Sequence, residues 1–359
     1  MSKIFDWLEG VYKKWGDIAR FWIFGSPKVF INSYDIAMQL LSRKNFLLKS
    51  EEFLPLAPIA QYSLPGASPQ LHPIRRKMLG PGFNRQTVEK SFGIFNKHAQ
   101  ALCHRLEEFS NKHVVLNALT HTGLCSYMIG CDMAPIKVNE CYLDLLLDLE
   151  EKKELTKEDV LHELNLFIVA GYDTTGTTSA WALHLLASHP ECQEKALKEL
   201  KEIFGTRKGS DLQISLEDIK RMKYLDGCIK EALRLYPVLP WLLRRTDEEI
   251  RLNDGTVLPE GLDVPINTFL IQRDPNFFPE PDLFWPERHF PGSTSNTKAM
   301  LPFGAGPRIC PGMLFGMHEL KILLAHLLLA YSWESLDNPK KMKCVFHGVL
   351  LPKNGINLA

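Results

Sequence analysis

The chain of 359 residues is 45% apolar and carries 42 basic against 42 acidic side chains, an ordinary globular composition able to bury a large core. A net charge of zero sets up no field to attract nucleic acid, anionic lipid or an acidic partner, so nucleic acid is not expected among its ligands. Eight cysteines with no C-x-x-C pair and no dense framework suit a reducing compartment.

In chain order, MSKIFDWLEGVYKKWGDIARFWIFG has a charge every few residues, which excludes a cleaved signal peptide or a spanning helix, and no membrane anchor is expected in the chain as written. PKVFINS predicts a short strand, and TVEKSFGIFNKHAQALCHRLEEF has helical periodicity. From 141 to 236 the pattern is strongly helical. The clearest helix starts at Thr156, where Thr156-x-x-Asp159 forms a capping box, and stops at Pro190. Glycines and threonines at its centre replace a heptad seam, so it predicts the spine of a large helical domain. PECQEKALKELKEIF and KYLDGCIKEALRLYP are amphipathic, the second closed by Pro237. EIRLNDGTVLPEGLDVPINTFLIQ, with a D-G turn between apolar stretches, predicts a small hairpin or sheet. RDPNFFPEPDLFWPERHFPG is a proline-fixed, aromatic meander, and the last helix contains ILLAHLLLAY, too short a run to span a membrane. With no repeat and no Gly/Ser linker, residues 1–359 form one domain, mostly α with a minor β part.

Between meander and last helix lies FGAGPRICPG, residues 303–312. A lone cysteine is ordinarily an inert buried thiol. Pro311 suits a first helical position, which predicts Cys310 at or near an N-cap, where free N–H groups and the helix dipole stabilise a thiolate. Such a thiolate is a metal ligand or a nucleophile. The only nearby histidine, His318, is two turns along the helix, so an axial ligand is the better reading and a haem-free thiol enzyme the weaker one. Gly304, Gly306 and Gly312 would let backbone approach a flat ligand, and Arg308 would meet a carboxylate such as a haem propionate.

The spacing F-x-x-G-x-R-x-C-x-G, on Phe303, Gly306, Arg308, Cys310 and Gly312, resembles the cytochrome P450 family of haem-thiolate monooxygenases, in which this cysteine is the proximal iron ligand. EALR, with Glu231 and Arg234, and Arg288 of WPERHF resemble that family's E-x-x-R and P-E-R-F elements, a buried ion-pair cluster behind the haem loop. AGYDTT, Ala170 to Thr175, resembles the oxygen-activation motif. There Gly171 leaves room for haem, Thr174 bonds back to a carbonyl one turn earlier, and Asp173 and Thr174 are the implied proton carriers. LHPIRRKMLGPGF resembles the propionate-binding helix, with Leu71 where tryptophan is expected four residues before Arg75, and with Pro73 interrupting. Arg75 and, by position, Arg244 are the implied propionate contacts.

Within the family the motifs look most like the microsomal animal group that includes fatty-acid hydroxylases. The resemblance implies haem b, O2, a lipophilic substrate, an NADPH-dependent cytochrome P450 reductase with cytochrome b5 as a further partner, and the cytosolic face of the endoplasmic reticulum membrane. Ala170 stands where many of that group carry a glutamate that esterifies haem, so haem is expected to be held non-covalently apart from the Cys310–iron bond. The chain passes almost directly from GLCSYMIG to the segment before the long helix. This implies an internal deletion near 130–142 and a fold incomplete on the distal, substrate-roof side. A haem-binding but catalytically impaired form is the alternative reading.

Overall fold

A computed structural model describes residues 10, 12, 14–23, 25–50, 63–110, 115–133, 142–207, 209–338 and 342–359. The apparent internal junction falls largely on 134–141, outside the described residues. Strands β1 (Ile18–Ile23) and β2 (Ser26–Ile31) form an antiparallel hairpin, β2 being the expected strand in PKVFINS. Its sheet continues through two strands from the second half of the chain, β3 (Trp241–Arg245) and β4 (Asp263–Asn267), in the order β1-β2-β4-β3. The β2–β4 pair is parallel, and across it the buried Lys28 bonds to the buried Asp263. The expected D-G hairpin is present too, as Ile250–Arg251 paired with Val257–Leu258 around Gly255, whose φ is +87°.

Helix α1 (Tyr34–Leu41) packs on this sheet over a core that includes Ile31, Leu40, Val264 and Phe278. The other long helices among the described residues are α2 (Leu71–Leu79), α3 (Phe92–Ser110), α4 (Ala118–Met133), α5 (Tyr142–Glu151), α6 (Lys157–Ser188), α7 (Pro190–Phe204), α8 (Lys223–Leu235) and α9 (Met313–Ala330). The mostly α architecture with small sheets is therefore as expected. Pro73 does not interrupt α2: it sits in the first turn, where a backbone N–H has no helical acceptor to lose.

Helix α6 is the spine. Thr156 caps it by accepting from the Asp159 N–H at 3.1 Å, while the Asp159 carboxylate accepts from the Thr156 N–H at 3.0 Å. Halfway along, α4 crosses it where two glycines meet, because a Cβ on Gly176 would lie 2.6 Å from the Gly123 Cα. The Thr122 hydroxyl donates to the Gly176 carbonyl at that crossing, at 2.7 Å. Beyond it every residue from Thr175 to Ala187 is buried. Trp181, fully enclosed, stacks on Tyr236 with ring centroids 3.9 Å apart and donates its indole N–H to the Leu350 carbonyl. Helix α9 is long and apolar enough to cross a bilayer by length and composition, but 67% of it is buried among its neighbours. It is a core helix, as ILLAHLLLAY suggested.

Candidate active site

The loop before α9 is closed by the Cys310 N–H donating to the Phe303 carbonyl at 2.9 Å, so residues 303–310 form one turn of fixed shape. Gly304 and Gly306 hold φ of +75° and +69°, values that side chains rarely adopt. The reason for Gly306 differs from the expected one. Its missing Cβ does not make room for a ligand: a Cβ there would lie 1.8 Å from the Leu41 carbonyl oxygen at the end of α1.

Cys310 is also not the N-cap. Helix α9 begins two residues later than Pro311 suggested, with Gly312 as N-cap and Met313 as its first residue. The sulfur still meets a backbone donor, the Gly312 N–H, and feels the positive field of Arg76. Burial nevertheless outweighs both and pushes the thiol pKa up. A thiolate at Cys310 therefore needs a cationic partner beyond those two.

Around the loop, several cations gather. Arg244 is 3% exposed; burial lowers its pKa to about 10, and its Nε finds no acceptor. Burial and Arg244 lower that of Arg308 to about 9. Arg308 donates to the carbonyls of Leu64, Pro65 and Ala67, while its buried Nε has no partner. His72 is pushed down to about 4 by burial and by Arg308, Arg76, Lys49 and Arg244, and its Nδ1 has no partner. Lys49 is likewise driven well down by burial, Arg244 and Arg308. Among the described residues no carboxylate is a cause of the shifts at His72, Arg244 or Arg308. A group bearing two carboxylates, as haem does, matches this charge pattern and the orphaned donors.

Arg75 does not belong to this set. Its guanidinium pairs with Asp159 and, at 3.2 Å, with Glu163, so it ties α2 to the first turns of α6. The position facing the cysteine is the next one, Arg76, with His72 one turn before it. The four-residue spacing placed on Leu71 and Arg75 thus fits the structure one residue later.

The ion-pair cluster is assembled as expected, and it is larger. The Glu231 carboxylate accepts from Arg234 Nε and Nη2, both at 2.8 Å, from Arg288 Nε at 3.1 Å and from the Trp285 N–H at 3.2 Å. His289 Nε2, which sequence reasoning missed, lies 2.9 Å from its other oxygen. Burial raises the pKa of Glu231, but Arg234 and His289 outweigh it and hold the carboxyl at about 2. Gln272, also missed, donates to the Leu233 and Arg234 carbonyls and accepts from the Leu301 N–H, joining this cluster to the stretch that leads into the cysteine loop.

On α6, the Thr174 hydroxyl donates back to the Ala170 carbonyl at 2.7 Å, as expected, and Thr178 and Ser179 repeat the pattern. The helix runs unbroken through these bonds. The space a side chain at Gly171 would enter is open, with nothing within 4 Å. Helix α9 reaches this turn, since a Cβ on Gly316 would lie 3.6 Å from the Thr175 hydroxyl. Asp173 does not point with Thr174: it lines a groove against α4 with Thr177.

Residues 134–359 match the family model described as cytochrome P450. The chain is similar to cytochrome P450 4V2 of Rattus norvegicus, 38% identical over 235 residues, 64% of this chain and 44% of that protein. It is similar to cytochrome P450 4A12B of Mus musculus, 35% identical over 220 residues, covering 60% and 42%. With cytochrome P450 4c3 of Drosophila melanogaster the similarity is 24% over 456 aligned positions, 99% of this chain and 84% of the relative. The chain thus matches less than half the length of the first two relatives, whereas the third alignment is longer than the chain and opens gaps within it. The cysteine loop, the Glu231 cluster and this match agree: the chain belongs to the cytochrome P450 family.

Proposed function

We propose that the chain is a haem-thiolate monooxygenase that places one oxygen atom of O2 in a lipophilic, fatty-acid-like substrate, using electrons from an NADPH-dependent reductase. The observation that carries the reading is the set of cations around the Cys310 loop, where no carboxylate among the described residues acts on His72, Arg244 or Arg308. Cys310 would ligate the iron, and His72, Arg76, Arg244 and Arg308 would hold the propionates, with Arg75 supporting α2. Haem b bound there supplies the redox centre for oxygen activation, and a thiolate ligand favours O–O cleavage.

The protein's own contribution is positional. The Gly312 N–H and Arg76 offset part of the cost of a buried thiolate, and the metal's charge supplies the rest. Thr174 carries a proton at Oγ1, which it releases by giving up its bond to the Ala170 carbonyl. Asp173, its carboxyl raised from the ordinary value by burial, is the proposed donor that reloads it once its side chain turns from the groove against α4 towards Thr174. Ala170 offers no carboxylate for an ester, which supports non-covalent haem. The reductase, cytochrome b5 and the cytosolic face of the endoplasmic reticulum remain the proposed partners and setting.

Reduced protein under carbon monoxide is expected to show the red-shifted Soret band of a thiolate ligand, and Cys310→Ala is expected to lose it. Equal haem binding by both proteins with no such band would end the proposal. A second reading, a haem-binding but catalytically impaired form, is supported by the gapped alignment with cytochrome P450 4c3 and by the shortening proposed near 130–142 in what is otherwise one domain. Fatty-acid turnover by this chain with a reductase would exclude it.

A further inference from the structure

Asp173 and Thr174 are neighbours in sequence, but a residue step of about 100° sends them to different faces of α6. Thr174 shares a face with Ala170, to which it bonds. Asp173 shares one with Thr177, and that face opens on a groove of about 300 Å³ between α4 and α6. Besides Asp173, the groove is lined by Leu119, Thr120 and Leu124 of α4, Tyr172 and Thr177 of α6, and Leu351. Leu124 is 40% exposed, so the groove has an open rim.

Within this largely apolar lining Asp173 brings the single charge. Its carboxylate makes no hydrogen bond and no ion pair with any described residue, and burial alone raises its pKa, with no neighbouring charge acting on it. A half-buried carboxylate without a partner is unfavourable, and apolar walls left open to water are unfavourable too. One kind of molecule answers both.

We propose that this groove binds a hydrophobic ammonium: one cationic nitrogen against Asp173, with the Tyr172 ring beside it, and an apolar body along Leu119, Leu124 and Leu351. An anion is repelled by Asp173, and a neutral alcohol leaves that carboxylate unpaired. The site involves neither Cys310 nor the cations around it and goes beyond the proposed oxygenase reading; it shares only Asp173 with the proton path proposed there, and the binding test below requires no haem.

Calorimetric titration of the full chain with decyltrimethylammonium tests this directly, because that ion has no lone pair with which to ligate a metal. Saturable one-to-one binding is expected, weakened about tenfold or more by Asp173→Asn, with decanol and decyl sulfate binding no better than to the variant. Leu124→Arg, a change at an exposed rim position, is expected to abolish binding by placing a fixed cation in the groove while circular dichroism stays unchanged. Binding by Asp173→Asn as tight as by the parent chain, or decanol binding as tightly as the ammonium, overturns the proposal.

Discussion

Glu231 has no exposed surface, yet it stays ionised because every neighbour that reaches it donates: two nitrogens of Arg234, one of Arg288, the Trp285 N–H and the His289 ring. Glu231→Gln preserves the shape and strands two fully buried guanidinium groups, so the urea midpoint should fall by an amount equivalent to about 3–5 kcal/mol. His289→Ala removes one partner of five and should cost less, about 1–3 kcal/mol in the same measurement. Glu231, Arg234 and Arg288 were legible because EALR and WPERHF, in that order and together with the cysteine loop, resemble the family's elements. His289 stands beside Arg288 in WPERHF and went unread, since nothing in a linear pattern shows which of two adjacent side chains turns inward. Gln272 escaped for a different reason: its partners are the carbonyls of Leu233 and Arg234 and the Leu301 N–H, and backbone partners leave no trace in sequence.

Among the elements, α2 carries the most informative error. Its helical pattern was legible, but its rotation was not, because Pro73 looked like a break and is in fact part of the first turn. Rotating the reading by one residue exchanges the duties of two arginines, which gives a paired test. Arg75→Met should lower the urea midpoint by an amount equivalent to about 3–5 kcal/mol, since Glu163 loses its buried partner at the start of α6. Arg76→Met should leave the unfolding of haem-free protein nearly unchanged and reduce haem retention instead, read as haem content after gel filtration. The contact between α1 and the cysteine loop is equally exacting. Gly306→Ala drives a methyl into the Leu41 carbonyl, so loss of soluble folded protein is expected, whereas Gly171→Ala, with open space around it, should fold normally.

At the scale of the whole molecule, the helical spine and the small sheet could be read from periodicity, while the pairing of distant segments could not. The parallel contact of β2 with β4 joins residues more than two hundred positions apart, and no local pattern announces it. The same long-range assembly buries Glu319 of α9 against Ser126 of α4 and raises its carboxyl pKa to about 8, by burial. A carboxyl raised in the fold stabilises it fully below the unfolded value near 4.5, and that stability is lost as pH rises through the folded value. Between pH 5 and 8 this group alone should cost about 1.4 kcal/mol per unit. Urea titrations of Glu319→Gln against the parent should therefore diverge steadily over that window, with the variant the more stable at pH 8; parallel curves would refute the assignment.

The guanidinium of Arg308 grasps the carbonyls of Leu64, Pro65 and Ala67, a reach of 244 positions for the first of them. During synthesis, at about 5–20 residues per second, the early segment waits on the order of ten seconds or more before that arginine leaves the ribosome. Until then the pocket lacks both its clamp and its cysteine, so a cofactor held there would be captured only at the end of translation.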